Sequence, residues 1–108
     1  MKIAYTVRCR FTDAAVAEKW LDWLRDGHLQ DVCDAGAESA YAVRMDLEPG
    51  STDAAVCEAR YTFPSRNAFE IYEADHAPRL REEGLTLFPL DLGLSYARSL
   101  GEIRTTVS

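Results

Sequence analysis

Lysine is nearly missing from this chain: of 12 basic residues only Lys2 and Lys19 are not arginine, and 18 acids outnumber them to a formal net charge of −6 at pH 7. A surface of that sign repels phosphate backbones and anionic lipids, so neither nucleic acid nor a membrane is expected as a partner. Cysteine is just as sparse. Cys9, Cys33 and Cys57 form no C-x-x-C pair and leave one thiol over in any single-bridge scheme, which points to a reducing compartment and to small apolar side chains in a core. No apolar run is long enough to span a bilayer and no basic stretch with an apolar h-region opens the chain, so a cytoplasmic location is expected. Histidine is limited to His28 and His76, without H-x-x-x-H or H-E-x-x-H spacing, so no metal site is expected. G-x-G-x-x-G, P-loop, G-x-S-x-G and haem-attachment sequences are all absent, and no cofactor is expected.

What remains is an ordinary globular balance over 108 residues, with 47% hydrophobic and 28% charged. That is enough for one core, so residues 1–108 are expected to form one domain. Ile3, Tyr5, Val7, Cys9 and Phe11 alternate with polar or small residues and predict a first strand with one buried face. Thr12 or Asp13 then caps a helix carrying Val16, Trp20, Trp23 and Leu24 on one side, which fades near Gly27 and ends by Gly36. A second strand is predicted from Ala37 to Asp46, with Tyr41, Val43 and Met45 opposed to Ala40, Ala42 and Arg44. After the turn Glu48-Pro49-Gly50-Ser51, a third runs from Ala55 to Phe63. Ser65 caps a second helix bearing Ala68, Phe69 and Tyr72, which must break before Pro78; a further turn, Arg79 to Glu83, is expected to end at Gly84. The last strand is predicted from Leu92 to Leu100.

The order β-α-β-β-α-β is the split βαβ pattern of an α+β, ferredoxin-like fold: a four-stranded antiparallel sheet with two helices on one face. The other face must meet water, a ligand or another subunit. Arg8, Arg10, Arg44, Glu58 and Arg60 are expected there beside Ala4, Thr6, Ala40 and Ala42, so that Arg8, Arg44 and Arg60 either hold an acidic ligand or form a ladder with Glu38, Asp46 and Glu58. Tyr96 and Arg98 share one face of the last strand and would join that site if it points outward; a slip of one residue reverses it. His28, with Asp31 three residues on, fits either a general base near neutral pH or a cap at a helix C-terminus, and His76 before Ala77-Pro78 poses the same choice. Trp20 and Trp23 read as core.

The stretch Trp20 to Val32, with Trp23-Leu24-Arg25-Asp26-Gly27-His28 at its centre, is similar to a bacterial family known only as domain-of-unknown-function family 4286. So are Tyr61 to Tyr72, with Phe63-Pro64-Ser65, the segment His76-Ala77-Pro78-Arg79-Leu80-Arg81-Glu82-Glu83-Gly84-Leu85, and Phe88. The resemblance implies a subunit of the dimeric α/β-barrel type, a homodimer in which two sheets face each other. It brings no catalytic residue, and fold relatives range from cofactor-free monooxygenases, polyketide cyclases and muconolactone isomerases to proteins without known chemistry. Three readings follow. The first is a dimer that binds a small acidic or aromatic molecule, between sheet and helices or between facing sheets. The second is a cofactor-independent monooxygenase, cyclase or isomerase with His28 or His76 as base. The third is a structural or regulatory dimer without a ligand.

Overall fold

The alternation in residues 3–11 becomes β1 (Ile3–Phe11) in the computed structural model, which describes residues 1–108. β1 is central because both its edges are paired: to β3 (Ala55–Phe63) on one side and β4 (Leu94–Glu102) on the other, with β2 (Ser39–Arg44) outside β3, all antiparallel in the order β2-β3-β1-β4. The β1 residues Ile3, Tyr5, Cys9 and Phe11 lie opposite Phe63, Tyr61, Cys57 and Ala55, and all eight are buried against the helices. This is the ferredoxin-like fold expected from the order of elements.

The first helical segment opens as α1 (Ala14–Trp23), where the Asp13 carboxylate accepts from the Ala15 N–H at 2.8 Å. Beyond Trp23 it widens into a π-type turn over Leu24–His28, bent at Gly27, and resumes as α2 (Leu29–Asp34). Ser65 caps α3 (Arg66–Asp75) by accepting from the Ala68 N–H at 3.1 Å. The chain breaks at His76, as Pro78 requires, and continues as α4 (Ala77–Leu87).

Four expectations need correction. Gly84 does not end a helix: α4 runs on to Leu87, and the missing side chain makes room for Trp23, whose Cη2 would stand 3.1 Å from a Cβ at that position. The glycine that a left-handed turn requires is Gly93 (φ 91°), where a Cβ would fall 1.9 Å from the Thr12 Oγ1. The last strand accordingly starts at Leu94 rather than Leu92, after a 3-10 turn over Leu90–Leu92. β2 is shorter than expected and its faces are exchanged. Ala40 and Ala42 sit opposite Tyr61 and Ala59 on the helix side, while Tyr41 and Val43 point outward opposite Arg60 and Glu58. Both faces of β2 carry apolar residues, so alternation alone could not orient it; small side chains are the ones that fit on the side from which α2 approaches.

No helix is long and apolar enough to cross a membrane.

Candidate functional site

Register divides the candidate residues between the two faces of the sheet. Arg8 and Arg60 lie outward, on either side of Glu58. The Glu58 carboxylate, 6% exposed, accepts from Arg8 Nε at 2.7 Å and from Arg60 Nε at 2.9 Å, and forms an ion pair with Arg60 Nη2 at 2.7 Å. Burial works against its charge, but the hydrogen bonds from Arg60 and Arg8 outweigh that and hold the carboxyl below the usual range. Arg60 also lies 5.9 Å above the Tyr41 ring and donates to the Met45 sulfur. These two guanidiniums are already engaged, in the ladder form of the two alternatives.

Arg44 was expected with them and is not there. It faces the helix side of β2 and pairs with Glu18 of α1, because β2 presents its even-numbered residues inward. Glu38 pairs with Lys2 at 2.6 Å instead of joining an arginine ladder.

Tyr96 and Arg98 face inward. They lie opposite Cys9 and Val7 of β1, on the side of the sheet that carries the helices, where Tyr96 is half-buried and Arg98 is exposed at the open rim. There the sheet and helices do not close completely and leave a cavity of about 440 Å³, within the size range of small-molecule sites. Its floor is Tyr5, Val7, Ala59, Tyr61, Leu94, Tyr96 and Arg98; its roof is Trp20, Trp23, Leu24, His28, Tyr72, Leu80, Arg81, Gly84 and Leu85, with Leu90 and Ser95 at the edge. Ala59, small and central on β3 opposite Val7, helps to leave the space.

The polar groups of this wall are few and specific. Trp20 Nε1–H donates to the Tyr96 hydroxyl at 3.1 Å. Arg81 Nη2 donates to the Tyr5 hydroxyl at 3.2 Å and to Glu73 Oε1 at 2.6 Å. Burial pushes the phenols of Tyr72 and Tyr96 up to about 12 and raises Tyr61 as well, so all three are neutral donors at physiological pH. Burial likewise lifts the Cys9 thiol to about 12, which removes it as a nucleophile. His28 stacks on Trp23 with ring centroids 4.1 Å apart and 21° between planes. Burial lowers it to about 4 against the opposing pull of Asp31, so the imidazole is neutral. Arg98, over the Tyr96 ring at 5.5 Å, takes part in none of the ion pairs of the chain. His76 lies at the break between α3 and α4, outside the cavity, and its side chain makes no cap hydrogen bond.

Five polar lining residues were not singled out by sequence as site residues: Tyr5, Tyr61, Tyr72, Arg81 and Ser95. Their signal was an excess of phenols at core-facing positions, since buried hydroxyls call for partners or a wet space. Trp20 is a core residue, as expected, whereas Trp23 is half-buried and packs against the core; both form part of the roof.

The family described as Domain of unknown function (DUF4286) matches residues 2–100. The chain belongs to that family. No curated protein matches the sequence. Among solved structures, it is similar to a dimeric ferredoxin-like protein from an uncultured marine organism, with 15% identity, 98% of each chain covered and a TM-score of 0.70. It is also similar to SnoaB, a cofactor-independent oxygenase from Streptomyces nogalater, at 12% identity over 98% of this chain and 96% of that one, with a TM-score of 0.65. HapK from Hahella chejuensis gives 15% identity over 100% and 98%, with a TM-score of 0.67. At these identities the likeness shows the ferredoxin-like fold of this DUF4286 chain.

Proposed function

We propose that this DUF4286 chain, with residues 1–108 as one domain, is a homodimeric binding protein. It holds a small, flat, mainly apolar molecule carrying an anionic group between its sheet and its helices. One observation carries the reading: an aromatic cavity of about 440 Å³ whose wall contains a guanidinium, Arg98, with no carboxylate of its own. In a protein of net charge −6 such a cation is the natural partner of a ligand carboxylate or phenolate. Support for the dimer comes from the outer sheet face, which no helix covers and where Tyr41 is 56% exposed, and from the dimeric description of the marine relative.

Both tryptophans of the chain line the cavity, so binding should be visible in their fluorescence. Titration with 1-naphthoate should quench the emission saturably, and 1-naphthalenemethanol, which lacks the charge, should bind at least tenfold more weakly. Equal affinity for the two would remove the anion from the reading. Native mass spectrometry of gently purified protein should show a dimer; a monomer at micromolar concentration would remove the homodimer.

A second reading, a cofactor-independent enzyme acting on an aromatic or polyketide-like substrate, is favoured by the presence of His28 in the cavity wall and by the oxygenase among the similar structures. It predicts oxygen uptake or isomerisation with such a substrate in the absence of added metal or flavin.

A further inference from the structure

His28 contains a buried nitrogen that bonds to nothing. Its Nδ1 is closed off from solvent and has no hydrogen-bond partner, whereas buried polar atoms in folded proteins are overwhelmingly paired. The ring is held on one face by Trp23, and Trp23 is in turn seated over Gly84 and against Phe88, whose ring centroid is 5.6 Å away. No side chain bonds to Nε2 either, but that nitrogen is not sealed, and the residue forms part of the cavity wall.

A neutral imidazole has one proton to place. On Nδ1 it would be a buried N–H with nothing to accept it, the rarer and costlier kind of orphan. On Nε2 it can meet water or a ligand, and Nδ1 is left as a bare acceptor.

We propose that His28 is held as the neutral Nε2–H tautomer and serves the cavity as a fixed hydrogen-bond donor to an acceptor oxygen of the ligand, not as a general base. This rests on the reading of the cavity as a binding site. With the proton on the open nitrogen and the lone pair on the sealed one, no basic atom of His28 reaches a ligand O–H or C–H. The donor complements Arg98: the cavity selects an aromatic anion that also carries a carbonyl or enolate oxygen. Asp31 on α2 is the carboxylate acting on the ring, and Arg81 of α4 and Arg98 of β4 are the charged groups of the same wall.

Long-range proton–nitrogen correlation spectra of the ligand-free wild-type protein test the tautomer directly. The expected result is the neutral Nε2–H pattern for His28, unchanged from pH 8 to pH 5. An Nδ1–H pattern, or a titration near the ordinary histidine value of about 6.5, would overturn it. Binding then tests the role. 9-Fluorenone-1-carboxylate should bind about 3- to 10-fold more tightly than fluorene-1-carboxylate, the span of one net hydrogen bond. That preference should persist in His28→Gln, which keeps an N–H donor, and vanish in His28→Phe. Loss in both variants would refute the donor. Failure of both probes to bind the wild type would count against the cavity reading, while the spectra would still decide the tautomer.

Discussion

The two faces of the sheet both carry arginines and tyrosines, yet they use them in opposite ways. Outside, Arg8 and Arg60 close on Glu58, so each guanidinium is spent on a carboxylate of its own chain. On the helix side, Arg98, exposed at the rim, lies over Tyr96 and forms no ion pair, and the phenols face a cavity. A triad whose guanidiniums share a carboxylate of the same chain is a structural device; an unspent cation beside an apolar hollow is a recognition device. Composition cannot separate the two, because the same residue types serve both.

The largest contrast is expected from packing. Leu80 is 1% exposed and lies between the core and the cavity roof. Leu80→Ala should cost about 2–5 kcal/mol in urea denaturation, because truncation there enlarges a hollow that already exists. Thr62→Ala on the outer face, where no helix packs, should stay within about 0.5 kcal/mol.

The pH profile should split the faces next. Tyr72 and Tyr96 stand at about 12 in the folded protein against about 10 unfolded, so their contribution is present below pH 10 and lost as pH rises from 10 to 12. Glu58 has its folded value depressed, so its contribution is present above the unfolded value of about 4.3 and lost as pH falls below that. His28 stands at about 4 folded against 6.5 unfolded, so stability falls by about 3 kcal/mol as pH drops from 6.5 to 4. Stability followed by circular dichroism should therefore fall on both sides. Tyr96→Phe should flatten the alkaline limb, His28→Gln the limb from 6.5 to 4, and Glu58→Gln the limb below about 4.3.

Binding should separate the arginines. Arg98→Ala is expected to weaken 1-naphthoate by about 10- to 100-fold, the loss of one charge-assisted contact of about 1.5–3 kcal/mol, with little change in stability. Arg8→Ala should leave that affinity unchanged. The reverse pattern would move the site to the outer face.

A more modest loss than at Leu80 is expected at Glu58 itself. Its partners are 39% and 35% exposed, so solvent screens the triad, and Glu58→Ala should cost about 1–2 kcal/mol, read as a lower urea midpoint.

The sequence by itself determined the fold. Period-two runs in residues 3–11 and 55–63, the caps at Asp13 and Ser65 and the break ahead of Pro78 are local signals, and each formed the element it predicted. The membership in DUF4286 was legible in the segments Trp20 to Val32, Tyr61 to Tyr72 and His76 to Leu85. What only the tertiary structure decided was which side of each edge strand faces the helices. β2 and β4 carry mixed residues on both sides, so apolar burial favours neither side, and register with β3 and β1 places Arg44, Tyr96 and Arg98. The cavity is a tertiary property in the same sense. It depends on Ala59 being short, on Gly84 yielding space to Trp23 and on the wide turn that brings His28 to the wall, and none of these acts through its neighbours in sequence.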